Sequence, residues 1–140
     1  MKCLSLWQPW ASVIFEHDGS GNMVKPDETR GWFTNVREPV AIHAAKHDDR
    51  RIQEEYGPSL AALGLKWSSL PFGAIIGSVE IVDCLPAWKL EREPWQKFWG
   101  DYRQFGDDGK ERFAFVLRNP IKFTEPIPWK GKQGFFEVNL

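Results

Sequence analysis

The chain holds very little of what several function classes require. Its 140 residues include only 2 cysteines and 3 histidines. Cys3 and Cys84, each flanked by apolar residues, do not make a disulfide framework. They read as two reduced, buried thiols of a cytoplasmic protein. His43 and His47 stand four apart, but no Glu follows His43 and no third ligand accompanies them, so no metal and no other cofactor is expected. No apolar run approaches the roughly 20 residues of a membrane span, and the opening residues lack the small-residue cleavage pattern of a signal peptide. Nor does one sign of charge dominate: 18 Lys and Arg against 19 Asp and Glu leave a net charge of -1. That argues against a protein that coats nucleic acid by bulk electrostatics, but a local basic groove remains compatible with it. Internal repeats and low-complexity linkers are absent as well.

Aromatic residues are what the chain has in excess: 14% of the total, with 8 Trp. An indole is a stacking surface for a flat-ring ligand and equally a filler for a small barrel, and composition leaves both open. With 42% hydrophobic and 26% charged residues, residues 1–140 read as a single globular domain that can bury a core without disulfide or metal support.

Cys3 to Leu6 reads as a short strand, and Pro9 suits the first turn of a helix through Trp10, Ala11, Val13 and Ile14. Gly19, Gly21, Asn22 and Pro26 make His17 to Pro26 a loop. Val40 to His43 is a buried strand, Ala44 to Tyr56 a polar-faced helix ended by Gly57-Pro58, and Ser59 to Leu65 a second helical piece. Ala74 to Leu85 is the strongest strand, rich in β-branched residues, with Gly77 marking a bulge. Pro86 to Lys110 mixes Trp88, Trp95, Phe98, Trp99, Tyr102 and Phe105 with charges, an irregular excursion holding one helix. Phe113 to Leu117 and Gly134 to Leu140 close the chain as strands. The pattern predicts an α+β fold, a small mixed sheet or β-barrel with helices inserted early.

The densest polar cluster contains Lys25, Glu28, Arg30, Arg37, His43 and Lys46, interleaved with Trp32. In an extended segment, Glu28, Arg30 and Trp32 point to one face. A carboxylate, a guanidinium and an indole there suit a phosphate or a base edge; the competing reading is a surface ion pair with one Trp tucked into the core. His43 reads either as a satisfied core histidine or as a ligand contact. Lys46, in the first turn of the following helix, is opposed by the helix dipole, a position that answers an anionic ligand. Prolines and glycines between Pro126 and Gly134 present Trp129, Lys130, Lys132 and Gln133 on a shaped loop, in a locally basic end of the chain.

These residues, in order, resemble a known family. Leu4-Ser5-Leu6-Trp7-Gln8-Pro9-Trp10-Ala11-Ser12 resembles the LSxxQPWAS opening of ASCH (activating signal cointegrator homology) domains, and Lys25 to Trp32 matches their K-x-x-E-x-R-x-W signature. Arg37 to Lys46 resembles R-G-x-x-x-I-H-A-x-K, with Glu38 where the family has Gly. Gly73 to Gly77 with Asp83-Cys84 resembles the central GAIIGxxxxxDC strand. Arg112 to Pro120 and Pro126 to Gly134 resemble the closing RxAWxLxNP…PIPxKGxQG. The likeness spans nearly the whole chain; the loop between Gly21 and Lys25 and the aromatic insertion from Trp88 to Phe105 depart from it.

The resemblance implies a PUA-like fold, a small β-barrel with peripheral helices. It implies RNA, single-stranded nucleic acid or a modified nucleoside held in a base-sized cationic cleft of Gln8, Trp10, Lys25, Glu28, Arg30, Trp32, His43, Lys46, Lys130 and Gln133. Two alternatives stand beside binding. Some ASCH proteins resemble metal-independent hydrolases, either amidohydrolases of N4-acetylcytidine or ribonucleases; here Lys25, Glu28 and Lys46 would be the catalytic set, with Glu28 as base to a water. Lys25 matches the lysine of the amidohydrolase motif, but Glu28 stands where that motif has threonine, and Thr29 is one residue away. The third reading is a protein-interaction domain, which predicts that Trp88, Trp95 and Trp99 cluster outward as an exposed patch.

Overall fold

The computed structural model describes all of residues 1–140. Six strands are laid down in chain order: β1 (Lys2–Leu6), β2 (Asp27–Arg30), β3 (Pro39–Ala44), β4 (Ala74–Pro86), β5 (Phe113–Pro128) and β6 (Phe135–Glu137). They form one mixed sheet in the order β2-β5-β4-β3-β1-β6. β1 runs parallel to β3, Cys3 opposite Ala41, and every other pair is antiparallel. Three helices lie outside it: α1 (Trp10–Val13), α2 (Arg50–Ala62) and α3 (Pro94–Trp99). None of them is long and apolar enough to cross a membrane.

The β4–β5 pair curls the sheet. Its register shifts three times, one of them between Ile75 and Gly77, and each bulge bends and twists the ribbon. The bulge expected at Gly77 is therefore present, and only glycine fits there: a Cβ would lie 2.5 Å from the Ile121 carbonyl oxygen and from the Phe15 ring. The concave face buries Leu4, Leu6, Ile42, Ile76, Val79, Ile81, Phe115 and Leu117 with Ala11 and Ile14 from α1. Each such side chain stabilises by roughly 1.5–3 kcal/mol relative to exposure. Cys3 and Cys84 are free and buried. Burial pushes the Cys3 thiol up to about 12 and raises Cys84 too, so both stay protonated and unreactive.

The curled sheet is a half-barrel, because β2 and β6 are both edges and do not pair with each other. Side chains do the closing instead. Trp32, just beyond β2, packs edge-on against Phe115 and Phe135, with ring centroids 5.1 and 5.4 Å away. Arg30 donates from Nη2 to the Ser5 carbonyl of β1 at 2.9 Å. β6 pairs with β1 only as far as Leu4, so this guanidinium covers β1 backbone just beyond its neighbour's reach.

Three elements differ from the sequence expectation: β5, expected over Phe113 to Leu117, runs on to Pro128, the closing strand expected over Gly134 to Leu140 is only Phe135–Glu137, and the second helix is shifted. The helix expected over Ala44 to Tyr56 starts later and runs further. Asp49 is its N-cap, its carboxylate accepting from the N–H groups of Arg51 (2.8 Å) and Ile52 (3.4 Å). Gly57-Pro58 does not end it, since Pro58 lies inside α2. Leu60 is fully buried beside Val13, Val24 and Trp67, with Ile52, Tyr56 and Leu63 packed against the same cluster. That burial offsets what proline costs a helix interior. Lys46 accordingly sits in the β3–α2 loop and not in a first helical turn.

The aromatic insertion holds one helix, as the sequence predicts. Its helix α3 opens on a Glu93–Gln96 capping box with Pro94 in the first turn. Arg92 clamps Asp27 of β2 with three contacts of 2.9–3.1 Å, both side chains almost wholly buried. Trp99 is buried in the α2 cluster, whereas Trp88 and Trp95 are exposed. The outward cluster of all three indoles is not formed.

Candidate functional site

The unpaired seam between β1 and β2 is where polar residues collect. A hollow of about 470 Å³ follows it, lined by Ser5, Trp7, Trp10, Glu28, Thr29, Arg30, Trp32 and Arg112 among others. It adjoins a cleft of about 1290 Å³, whose walls include Ser5, Trp7, Arg30, Trp32, Lys46 and the loop from Pro128 to Gly134. Ser5, Trp7, Arg30 and Trp32 belong to both. Period-two geometry explains the first pair: Ser5 lies on β1 and Trp7 follows just past its end, two residues on, while Leu6 between them turns into the core.

Electrostatically the cleft is one-sided. Arg30, Lys46, Lys130 and Lys132 line it and no Asp or Glu does. None of these four cations takes part in a salt bridge. Arg30 Nε is moreover buried without a hydrogen-bond partner, an arrangement that costs about 1–3 kcal/mol and is held in place by the surrounding fold.

Buried contacts fix the loop that carries two of these lysines. His43 is 1% exposed, so the core-histidine reading holds for its burial. Its Nε2 donates to the Trp129 carbonyl at 2.7 Å, which leaves Nδ1 to accept from the Ser5 hydroxyl at 2.8 Å in the neutral ring. Gly131 lies hard against that ring: a Cβ there would come within 2.7 Å of His43 Cε1. Across the cleft the Lys46 stem runs over Gly73, which has φ +66°; a Cβ at Gly73 would meet Lys46 Cγ at 2.9 Å. Gly73 also accepts from the Trp129 N–H at 3.1 Å. The cleft floor is thus two glycines and a histidine that let backbone and lysine stems approach closely.

Three indoles line the walls, Trp7, Trp32 and Trp129. Trp7 is 50% exposed and Trp32 37%. His47 stacks behind Trp7 with centroids 3.9 Å apart and is itself hydrogen-bonded to Asp49 at 3.4 Å.

Of the residues expected from sequence, Arg30, Trp32, His43, Lys46, Lys130 and Gln133 line the large cleft, while Trp10 and Glu28 join Arg30 and Trp32 in the smaller hollow. Gln8 and Lys25 line neither. Gln8 is 1% exposed and ties Ser12 to the Pro71 carbonyl. Lys25, with a side chain 3% exposed, donates to the Asp27 carbonyl at 2.7 Å and to Glu28 Oε2 at 3.0 Å. Lys25, Glu28 and Lys46 therefore share no hollow. Burial works to raise the Glu28 carboxyl, but the charges of Lys25, Arg30 and Arg112 and the Lys25 hydrogen bond outweigh it and hold the group below the usual carboxylate range.

Sequence reasoning noticed Lys132 on the basic loop without placing it in the cleft, and it passed over Trp7 and Arg112 as site residues. Trp7 was findable, two residues beyond Ser5 with the apolar Leu6 between them. Arg112 was not, because only the fold brings its Nη2 to the Thr29 hydroxyl at 3.0 Å. No three His, Cys, Asp or Glu side chains gather as a metal-ligand set.

No family model matches the chain. Two curated relatives do: activating signal cointegrator 1 of Homo sapiens, 24% identical, and that of Mus musculus, 26% identical, each over 98% of this chain. The chain corresponds to 22% of the length of those relatives. Among solved structures, the crystal structure of ASCH from Zymomonas mobilis superposes with a TM-score of 0.55 at 16% identity, covering 99% of this chain and 87% of that one. A point mutant of the same protein superposes with a TM-score of 0.53 at 15% identity. The structural match shows that the chain shares the α+β fold of that ASCH structure, and the sequence match shows a likeness to activating signal cointegrator 1 over nearly the whole chain.

Proposed function

We propose that this chain binds single-stranded nucleic acid, RNA foremost, along the open seam of its half-barrel. The observation that carries the reading is the set of four unpaired cations, Arg30, Lys46, Lys130 and Lys132, converging on a cleft without a carboxylate in a chain of net charge -1. Like charges repel, so gathering them costs free energy that an anionic ligand returns on binding. The half-exposed Trp7 and Trp32 add stacking surfaces that accept any base. A general association of ASCH domains with nucleic acid agrees with both.

A hydrolytic role has less support. Glu28 would be the base, yet a carboxyl held below its usual range is a weaker proton acceptor than catalysis near neutrality favours. Lys25 is turned to Asp27 and Glu28 and lines neither hollow.

The test is a fluorescence-anisotropy titration of a labelled mixed-sequence RNA octamer, its DNA equivalent and the RNA duplex at about 50 mM salt. The reading expects the RNA single strand to bind tightest and to weaken as salt rises. Absence of binding by either single strand at low salt would refute it.

A further inference from the structure

The two adjoining hollows share Ser5, Trp7, Arg30 and Trp32 but differ in size and in charge. The smaller, about 470 Å³, falls within the roughly 300–1,000 Å³ that small-molecule sites occupy. The larger, about 1290 Å³, exceeds it. The smaller holds a carboxylate, Glu28, with Arg30 and Arg112 near it, and has Trp10 and Trp32 in its walls. The larger holds four cations and no carboxylate.

We infer that the hollows divide one polynucleotide between them: the smaller takes a single unpaired base, and the larger takes the sugar–phosphate chain that continues from it. The ligand is then a single strand of at least two nucleotides, and a free nucleoside or mononucleotide fills only part of the site. This rests on the nucleic-acid reading above and narrows it to a class of ligand.

Charge fixes the assignment of parts. A phosphate in the smaller hollow would face the Glu28 carboxylate. Glu28 Oε2 is held by Lys25 and Oε1 makes no hydrogen bond, so Oε1 is free to accept an N–H from a base edge, as a carboxylate accepts the cytosine amine in duplex recognition. Phosphates belong instead beside Lys46, Lys130 and Lys132. Trp7 and Trp32, common to both hollows, stand at the step between base and chain, where an unstacked neighbouring base needs an aromatic face. The loop Pro128–Gly134 is pinned through His43 and Gly131, so its two lysines meet a strand with little ordering cost.

The experiment is competition against the labelled mixed-sequence RNA octamer by equimolar mixtures of the four ribonucleoside monophosphates, then of ribodinucleotides, then of tetranucleotides, at fixed salt. The expected result is a gain of about tenfold or more from mono- to dinucleotide and a further gain to tetranucleotide, with most of the gain lost in the Lys130→Ala, Lys132→Ala double variant, since each phosphate contact carries its own electrostatic contribution. Glu28→Gln is expected to change the ranking of the four monophosphates tested singly. Octamer binding with monophosphates that compete as well as tetranucleotides, or a length gain that survives the double lysine variant, overturns the division of labour and leaves the nucleic-acid reading standing. No binding of the octamer itself removes both.

Discussion

Gly131→Ala is the sharpest local perturbation of the cleft. The new Cβ would stand 2.7 Å from His43 Cε1, 2.9 Å from Nδ1 and 3.1 Å from Ser5 Oγ. The ring cannot step aside, because both its nitrogens are held, at 2.8 and 2.7 Å. The loop must therefore withdraw by about 0.7 Å to reach ordinary contact at 3.4 Å. That stretches the His43–Trp129 bond from 2.7 Å to about 3.4 Å and weakens it sharply, at a cost approaching the roughly 1–3 kcal/mol of a buried pair left unsatisfied. At roughly 2–5 °C per kcal/mol for a chain of this size, the melting temperature falls by about 2–15 °C. Lys130 and Lys132 move with the loop, and affinity for the RNA octamer falls about tenfold, equivalent to ~1.4 kcal/mol. Thermal unfolding followed by circular dichroism and anisotropy titration read the two effects. An alanine variant with unchanged melting and unchanged affinity would show that His43 does not hold the loop and that the loop does not set binding.

Trp7→Ala is expected to weaken single-strand binding by about 1–3 kcal/mol without a large stability loss, whereas Trp32→Ala, packed on Phe115 and Phe135, should lower both affinity and melting temperature; the paired measurements separate stacking from packing. Arg92→Ala strips the partner from a buried Asp27, so stability in denaturant titration should drop by about 3–5 kcal/mol, with octamer affinity retained at temperatures where the variant is folded. Glu28→Gln should melt below the parent at neutral pH, because a carboxyl whose folded value is depressed contributes stability above its unfolded value, roughly pH 4.3. That contribution is lost as pH falls through the folded value, so the gap between parent and variant should narrow below about pH 4 in thermal melts; a gap that widens on acidification would reverse the sign assigned to Glu28.

How far the sequence could be read depended on whether a feature was local. β4 was legible because Ile75, Ile76, Val79, Ile81 and Val82 prefer a pleated surface whatever surrounds them. Placing Glu28 and Arg30 on one face of β2 needed only the period of two, and both do line the smaller hollow. The true start of α2 was also written locally, in Asp49, but Ala44-Ala45 ahead of it looked equally helical. Its passage through Pro58 was less visible: Ile52, Tyr56, Leu60 and Leu63 keep a helical stripe across the proline, and the stripe prevails only because a partner surface of Val13, Val24 and Trp67 exists. Lys25 misled because K-x-x-E spacing says nothing about which way an ammonium turns, and here it turns inward to a carbonyl. The seam itself was not legible at all. It is a pairing that does not occur, between β2 and a neighbour, and residue preferences encode contacts made.

The proposed meeting of phosphates with cations free of salt bridges along that seam is measured directly by the salt dependence of octamer binding. For single strands log K falls with log salt at about 0.7 per neutralised phosphate, so three or four contacts predict a slope of roughly -2 to -3 in the parent chain and about -0.7 once Lys46, Lys130 and Lys132 are all alanine. A parent slope near zero, or a steep slope that the triple substitution leaves unaltered, would contradict it.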